Sequence, residues 1–322
     1  MAFTFLMLPP QTETTRAWGR RLAAECPDVR VAVAENEAEA AGEIGQAEAA
    51  YGVIPPSLLA RAGRLRWLQA PQAAPPAGYY YPELIAHPVV VTNMREIYND
   101  HIAAHIMAFV LAFARDFQTY LPQQLRREWK PNKLDTGVKH LPECTALIVG
   151  VGGIGAETAR LLAVLGMRVI ATDARRKEAP AGVAKLHPAE ALDELLPRAD
   201  FVILTVPHTP ATEGFMNRAR FARMKRGAFF INIGRGKTSR LDDLVAALRA
   251  GEIAGAGLDV FETEPLPAEH PLWTMPGVLI TPHTAGYGPY LDERRYQIIL
   301  ENCRAFGAGR ELRNVVDKAN WF

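Results

Sequence analysis

The sequence predicts an α/β protein made of two units, each with a mostly parallel sheet that helices cover on both faces. Short apolar runs of strand length alternate with polar or alanine-rich helical stretches, which is the pattern that parallel sheets produce. One long apolar helical stretch separates an earlier set of these runs from a later set. The length, 322 residues, is also typical of about two domains.

The first α/β unit is predicted over residues 1–98. Its apolar runs are strand-like in length and are bounded by proline, glycine or charged residues. Helical patterns fall between them. We predict strands at 3–8, 29–33, 50–54, 65–68 and 89–92, and helices at 15–24, 37–45 and 56–62.

Residues 99–121 predict one long helix, with Asn99 as its N-cap and Pro122 at its end. This stretch is apolar on almost every side, so it should be buried between domains or against a second subunit. We therefore expect a homodimer with this helix and its neighbours at the interface.

The second α/β unit follows directly. The final predicted helix, about residues 290–306, lies beyond it and is expected to cross back onto the first unit. Strands are predicted at 145–149, 167–172, 201–205, 228–233, 255–258 and 278–280, and helices at 154–165, 189–196, 218–224 and 241–250.

The sequence GVGGIG, residues 150–155, follows the first strand of this unit and precedes a helix. Gly150, Gly152 and Gly155 match the dinucleotide-binding pattern, and a second strand ends at Asp173, 18 residues after Gly155. Gly150 permits the tight turn, Gly152 admits a pyrophosphate, and Gly155 lets the helix pack closely on the sheet. The helix N-terminus then offers N–H groups to the phosphates.

The carboxylate of Asp173 suits the ribose hydroxyls of NAD and would repel the 2′-phosphate of NADP. Arg175, Arg176 and Lys177 follow at once and could bind that phosphate instead. We expect NAD as the cofactor, with NADP as the alternative that Arg175 and Arg176 leave open.

The composition argues against several other classes of protein. The 36 Lys and Arg residues nearly balance the 35 Asp and Glu residues, which leaves no overall attraction to nucleic acid or anionic membrane. Cys26, Cys144 and Cys303 are far apart, odd in number and in no CxxC spacing, so neither a disulfide framework nor a thiolate metal cluster is indicated. With no signal-peptide pattern or apolar span of about 18 residues, we expect a cytoplasmic protein.

Further signatures follow the glycine motif in order: VPHTPAT, INIGRG, LDVFETEP and TPHTAG. At these residues the chain resembles the D-isomer-specific 2-hydroxyacid dehydrogenase family, most densely over residues 99–286. The resemblance implies a Rossmann domain, residues 99–287, that binds NAD. It is inserted into a flavodoxin-like substrate domain formed by residues 1–98 and 288–322.

The resemblance also implies three catalytic residues, Arg235, Glu264 and His283. Their chemistry suits reduction of a 2-keto acid to a D-2-hydroxy acid. Arg235 offers a planar fork of donors to the substrate's carboxylate and keto oxygen. His283 can protonate the alkoxide that hydride transfer creates, and Glu264 can orient the imidazole.

Other residues of the motifs are expected to contact the dinucleotide. Asp259 is expected near the nicotinamide carboxamide, while His208, Thr209 and Thr212 lie in the loop after a strand and equally fit a simple loop role. The full predicted set is Gly150, Gly152, Gly153, Ile154, Gly155, Asp173, Val206, Pro207, His208, Thr212, Ile233, Gly234, Asp259, His283 and Gly286.

The chain departs from the family pattern in three places. The segment APQAAPPAGYYY, residues 70–81, replaces the usual substrate loop and leaves the role of Tyr79, Tyr80 and Tyr81 open. Glu96 stands where glycine is usual, and Ala104 where glutamate is common. These changes leave the particular 2-hydroxy acid undetermined.

Two histidines of the long helix, His101 and His105, share one face because they are four residues apart. This spacing could hold a metal, but no accompanying carboxylate completes a metal motif, so packing in a core or interface is the favoured interpretation. We predict no metal site.

Two alternatives to a hydroxyacid dehydrogenase remain. Formate dehydrogenases share the architecture, although their catalytic histidine pairs with glutamine, which counts against them here because residue 264 is glutamate. Transcriptional corepressors resembling this family use NAD(H) occupancy to regulate partner binding, but this chain lacks the long disordered extensions or basic tail that would suggest a scaffold.

Overall fold

The structure is a computed structural model that describes residues 2–73, 78–131 and 137–319. The chain divides into two compact units, Met1–Ile97 with Pro289–Phe322 and Tyr98–Gly288. Along the chain, the second unit is therefore inserted into the first. The roles that the sequence suggested for the two units, substrate binding and dinucleotide binding, stay predictions.

The first unit contains a five-stranded, all-parallel sheet with the strand order β2-β1-β3-β4-β5, which is the flavodoxin-like order. Leu6, Ala50, Leu68 and Val91 contribute to its core. The strands are β1 (Phe3–Met7), β2 (Val29–Val33), β3 (Ala49–Tyr51), β4 (Trp67–Gln69) and β5 (Val90–Thr92); the helices are α1 (Glu13–Glu25), α2 (Glu37–Glu43), α3 (Pro56–Leu59) and α4 (Pro82–Ala86).

The second unit contains a seven-stranded, all-parallel sheet that begins after two helices, α5 (Asn99–Ala114) and α6 (Phe117–Leu125). Its strands are β6 (Thr145–Val149), β7 (Arg168–Asp173), β8 (Lys185–Pro188), β9 (Phe201–Leu204), β10 (Phe229–Asn232), β11 (Gly255–Leu258) and β12 (Val278–Ile280). Its other helices are α7 (Gly153–Val164), α8 (Leu192–Leu195), α9 (Arg218–Phe221) and α10 (Leu241–Arg249); α11 (Leu291–Gly307) returns to the first unit.

The strand order of this second sheet is β12-β11-β10-β9-β6-β7-β8. The order reverses between β6 and β9, as it does in a Rossmann fold, and ligands of such sheets bind where the order reverses. Apolar clusters cover both faces: one includes Leu147, Leu204 and Phe230, and the other Ile148, Ile203 and Ile231. The predicted fold class, two parallel-sheet α/β domains with one of Rossmann type, is confirmed.

The prediction of one long helix from residue 99 was wrong. Tyr98 precedes the helix as its cap, so Asn99 is a helical residue. The helix is then interrupted at Asp116, whose backbone is left-handed (φ 60°). The carboxylate of Asp116 accepts hydrogen bonds from the side chains of Gln118 and Thr119. Pro122 lies inside the second helix rather than at its end.

The two elements that the sequence did not predict, α4 and β8, are short and partly polar. β8 has the sequence KLHP and forms the edge of the seven-stranded sheet. β8 is open to solvent on one side and carries no apolar run, so the sequence pattern does not reveal it.

Candidate active site

Parallel strands place all their carboxyl ends at one edge of the sheet, and every predicted motif of the second unit follows one of these ends. In sheet order, His283 follows β12, Asp259 and Glu264 follow β11, and Arg235 follows β10. The VPHTPAT loop follows β9, the glycine motif follows β6, and Asp173 ends β7. The edge therefore has a β10–β12 half with the predicted catalytic residues and a β6–β7 half with the glycine motif.

The glycine motif forms a tight passage from β6 into α7. Gly150 has φ 91°, and a side chain on Gly155 would collide with the carbonyl oxygen of Gly150. Gly152 caps the helix, and a Cβ built there meets nothing within 4 Å. The first helical hydrogen bond runs from Ala156 to Gly152, so the amides of residues 153–155 are left at the open helix end, as a diphosphate requires.

Asp173 shapes the turn after β7. Its Oδ1 accepts the amides of Arg175 (2.8 Å) and Arg176 (2.9 Å), and its Oδ2 accepts the amide of Val151 (2.8 Å). Burial by itself would raise the pKa of this carboxyl, but the three amides and the Arg176 charge together lower it below its ordinary value. The Arg176 guanidinium donates to the Val151 carbonyl at 2.7 Å. Asp173 is thus ionised and only partly buried.

The loop after β9 is closed by its own threonines. Thr212 donates its hydroxyl to the carbonyl of Pro207 (2.7 Å) and accepts the amide of Thr209 (2.8 Å). The His208 ring lies 3.5 Å from the carboxylate of Glu213. Val206 packs beside Gly150 at the point where the strand order reverses, so this loop and the glycine motif lie together.

Arg235 follows β10 through Ile233, which is buried, and Gly234. Its Nη1 donates to the carbonyl of Gly234 at 2.6 Å. Burial lowers the pKa of the guanidinium, and the negative charge of Glu264 acts in the opposite direction. An arginine stays protonated under any such shift, so this is a partly buried, permanent cation close to a carboxylate.

His283 and Glu264 form a direct pair. The Nδ1 of His283 lies 2.7 Å from the Oε2 of Glu264, and the Oε1 of Glu264 accepts the amide of Phe261 at 2.9 Å. This arrangement leaves the Nε2 of His283 pointing away from the pair, on a side chain that is 51% exposed. A histidine held in this way can give or take a proton at Nε2 while the carboxylate fixes the ring.

Asp259 is almost fully buried and holds the segment that carries His283. Its side chain is 1% exposed. Its Oδ1 accepts the Thr284 amide (2.8 Å) and the Thr281 hydroxyl (2.6 Å), and its Oδ2 accepts the Ala285 amide (3.0 Å). Gly286 follows and lies beside Tyr98. Sequence reasoning assigned no function to Thr281, although it opens the TPHTAG motif.

The tyrosines of the rewritten loop belong to the first unit, and residues 74–77 of that loop lie outside the described residues. Tyr79 donates its hydroxyl to the Gly52 carbonyl (3.0 Å), and Tyr81 donates to that of Ile54 (2.9 Å). Tyr80 is 8% exposed, and within the described residues its buried hydroxyl has no hydrogen-bond partner. Burial raises its pKa to about 12, against the effect of Arg95. Substrate contact by these tyrosines remains a prediction.

Glu96, at the position where the family commonly has glycine, has the left-handed backbone that glycine adopts most easily (φ 76°). Its carboxylate lies 3.4 Å from the guanidinium of Arg313 within the first unit. The substitution therefore changes the side chain but keeps a glycine-like backbone at residue 96.

Neither a metal centre nor a membrane-spanning helix is found within the described residues. No group of three or more histidine, cysteine, aspartate or glutamate side chains there is arranged to hold a metal ion. No helix within the described residues has the length and apolar character that crossing a membrane would require.

Comparison with known proteins decides the family. Residues 107–285, more than half of the chain, match the family described as D-isomer specific 2-hydroxyacid dehydrogenase, NAD binding domain. The chain belongs to this family. A glyoxylate/hydroxypyruvate reductase A from Yersinia enterocolitica is 36% identical over 213 residues, which is 66% of this chain and 66% of that relative.

Solved structures of family members match the whole fold. A D-isomer specific 2-hydroxyacid dehydrogenase from Xanthobacter autotrophicus Py2, in complex with NADPH and MES, has a TM-score of 0.84 at 31% identity and covers 100% of both chains. An NADPH-dependent glyoxylate/hydroxypyruvate reductase from Sinorhizobium meliloti, in complex with NADP and sulfate, has a TM-score of 0.81 at 29% identity. It covers 99% of this chain and 100% of its own.

Proposed function

We propose that the protein reduces a small 2-keto acid to the D-2-hydroxy acid, with Arg235, His283 and Glu264 as its catalytic residues. The observation that carries the proposal is the 2.7 Å pair between His283 and Glu264, in the same unit as Arg235 and at the same edge of the sheet. The names of the relatives favour glyoxylate and hydroxypyruvate as the substrates to test first.

Arg235 binds the substrate in this mechanism. Its guanidinium is a partly buried cation, so a carboxylate that reaches it exchanges water for a charge-assisted hydrogen bond. A planar fork of donors can also contact the keto oxygen and polarise the carbonyl as negative charge develops there.

His283 supplies the proton. The reduced dinucleotide, when bound, supplies the hydride that reaches the keto carbon. The Nε2–H of protonated His283 then donates its proton to the developing alkoxide. Glu264 holds Nδ1 at 2.7 Å, so the ring keeps one orientation, and its negative charge stabilises the protonated ring. In the oxidative direction, neutral His283 accepts the proton of the hydroxyl at Nε2.

The glycine motif and Asp173 would hold the dinucleotide, and we propose NADH as the preferred form. The open N-terminus of α7 suits the diphosphate. Asp173 accepts three amides, and a carboxylate has about four acceptor positions, so one position on Oδ2 remains for a ribose hydroxyl. The same charge repels a 2′-phosphate. The Xanthobacter and Sinorhizobium relatives were solved with NADPH or NADP, so cofactor choice needs direct measurement.

The test is turnover of glyoxylate, hydroxypyruvate, pyruvate and phenylpyruvate with NADH and NADPH in parallel. We expect reduction of at least one of these acids, faster with NADH. Equal or faster turnover with NADPH would refute the NADH preference and favour phosphate binding by Arg175 and Arg176. The glycerate, lactate or phenyllactate formed from the other three acids should be the D enantiomer by chromatography on a chiral column, whereas glycolate, the product from glyoxylate, is achiral.

Two other functions make different predictions in the same assay. A corepressor-like NAD(H) sensor would bind NADH tightly and reduce none of a broad panel of keto acids. A formate dehydrogenase would oxidise formate; the charged partner of His283, Glu264, counts against it. Reduction of a keto acid with no oxidation of formate would exclude both.

We also propose that the protein is a homodimer. Its interface involves α6 and not the buried face of α5. One side of α5 is buried within its own unit, where Ile106, Val110 and Phe113 are fully covered. Four large apolar side chains of the segment that follows α5 nevertheless remain exposed: Phe117 50%, Leu121 47%, Leu125 86% and Trp129 94%. Light scattering should give twice the chain mass, and Leu125→Ser with Trp129→Ser should give the monomer. A monomer mass for the unmodified protein would refute the proposal.

A further inference from the structure

His105, for which the sequence favoured packing over a metal site, lies beside the β10–β12 half of the sheet edge. One helical turn further along α5, the ring of Phe109 lies where a side chain on Gly257 would be, 2.8 Å from the position of its Cβ. This close approach sets α5 directly against β11. The His105 ring packs edge-on against Phe109, with 4.9 Å between ring centroids, and faces the ends of β11 and β12.

A chain of hydrogen bonds runs from His105 to Asp259. The Nε2 of His105 lies 2.9 Å from the Oγ1 of Thr281, and Thr281 Oγ1 lies 2.6 Å from Oδ1 of Asp259. An ionised carboxylate only accepts, and a hydroxyl has one proton, so Thr281 donates to Asp259. Thr281 must then accept from His105, which places the His105 proton on Nε2.

The protonation state of His105 agrees with this direction. Burial lowers its pKa, and the carboxylate of Asp259, 3.9 Å from Nε2, acts in the opposite direction. The net effect is a neutral ring at ordinary pH, which carries a single N–H and donates it to Thr281.

Asp259 uses this chain to hold the backbone on either side of the catalytic histidine. Thr281 precedes His283 by two residues, and Thr284 and Ala285, whose amides Asp259 accepts, follow it directly. His283 itself has a left-handed backbone (φ 53°), which is uncommon for a residue with a side chain and needs support from its surroundings.

We propose that His105 and Thr281 are positioning residues that act through Asp259 to place His283 for proton transfer. The Nε2–H of His105 donates to Thr281, whose hydroxyl donates to Asp259, and these bonds fix the position of the carboxylate. The carboxylate in turn holds the backbone of residues 281–285. The strained backbone of His283 therefore presents its imidazole in a single position. The inference rests on the proposed function, because it concerns the orientation of its proton donor.

Thr281 gives the cleanest test because valine has the same shape without the hydroxyl. Thr281→Val should lower kcat about tenfold, since a small misplacement of a catalytic group has effects of this size or larger, and should leave the Kd for NADH within twofold. Thr281→Ser restores the hydroxyl and should recover most of kcat. Thr145→Val, at the amino end of β6, removes a threonine hydroxyl far from this chain and should leave kcat unchanged.

His105 is tested in the same way. His105→Leu should lower kcat about tenfold, whereas His105→Gln, which can donate from its amide, should recover part of it. The kcat of the double variant His105→Leu with Thr281→Val should lie within about twofold of the kcat of either single variant, because both substitutions break the same hydrogen-bond chain. Additive losses would overturn the proposal, as would a serine variant as slow as the valine variant.

A spectroscopic measurement separates this proposal from the proposed function. In protein labelled with ¹⁵N-histidine, one neutral histidine should show a proton on Nε2, and its signal should shift in Thr281→Val but not in Thr145→Val. A His105 proton on Nδ1 would overturn the proposal even if the enzyme is active. Absence of all keto-acid reduction in the unmodified protein would instead refute the proposed function.

Discussion

The two halves of the carboxyl edge in the second unit are organised in the same way but differ in access to solvent. Each half is built around one aspartate that ends or follows a strand and accepts three hydrogen bonds from the protein. Asp173 binds the amides of Val151, Arg175 and Arg176 and is only partly buried. Asp259 binds a hydroxyl and two amides around His283, and its side chain is 1% exposed.

This difference separates a residue that can touch a ligand from one that acts through its neighbours. Asp173 keeps an acceptor position that a ribose hydroxyl can reach, so we expect it to affect cofactor affinity. Asp259 has little surface to offer to a ligand, so we expect it to affect the placement of His283. Sequence reasoning treated both as cofactor contacts, Asp173 because of its place after the glycine motif and Asp259 because of the family resemblance.

The largest expected effect comes from the β10–β12 half. His283→Ala removes the proton donor and should lower kcat for keto-acid reduction roughly 10² to 10⁴-fold, the usual contribution of general acid catalysis. The Kd for NADH, measured by its fluorescence, should stay within about threefold because the β6–β7 half is unchanged. If the kcat of His283→Ala equals that of the unmodified protein, the β10–β12 half of the sheet edge is not catalytic.

Arg235→Lys tests the same half through substrate binding and has the next largest expected effect. Lysine keeps the charge but not the planar fork, so the substrate loses one of its two contacts and its orientation. We expect kcat/KM to fall about 10²-fold through both a higher KM and a lower kcat, with NADH affinity preserved. An unchanged KM would indicate that Arg235 does not hold the substrate carboxylate.

The sequence was a good guide to the fold and to the residues that motifs identify, and a poor guide to contacts made across the sheet. β6 and β11 lie where their apolar runs predicted, because buried parallel strands carry an unmistakable pattern. The edge strand β12 is only half-buried, but its apolar run VLI also predicted its bounds. The break at Asp116 was missed because a left-handed residue inside an apolar stretch leaves no mark on the periodicity.

The role of His105 could not be predicted because its partners, Thr281 and Asp259, are more than 150 residues away in the chain. Its spacing from His101 suggested a metal site or packing, and no local pattern pointed to a hydroxyl. Thr281 was missed although it lies in a recognised motif, because the motif shows that a threonine is present but not what its hydroxyl binds. Topology supplies this information: β11 and β12 are neighbours, and α5 packs beside them.

A smaller effect is expected in the β6–β7 half. Asp173→Asn keeps an acceptor for the amides of Arg175 and Arg176 but removes the charge that repels a 2′-phosphate. We expect the ratio of kcat/KM for NADPH to that for NADH to rise about tenfold, with kcat for NADH nearly unchanged. The ratio is the useful measurement, because any general damage to the turn affects both cofactors. An unchanged ratio would remove Asp173 from cofactor selection.

The smallest expected effect is on stability and follows from the lowered pKa of Asp173. A carboxyl whose folded-state pKa is lowered contributes stability above its ordinary pKa and loses that contribution as the pH falls through the lowered value. The unmodified protein should therefore exceed Asp173→Asn in stability by a constant amount between pH 5 and 8, about 1 kcal/mol or less because solvent screens a partly exposed group. The difference should shrink below about pH 4, where Asp173 takes up a proton in the unfolded chain before it does so in the folded protein. Thermal unfolding of both proteins across this range is the measurement. If the stability difference between the two proteins instead grows as the pH falls, the negative charge of Asp173 destabilises the turn. The three amide contacts would then reflect only the shape of the turn and not stabilisation of the charge.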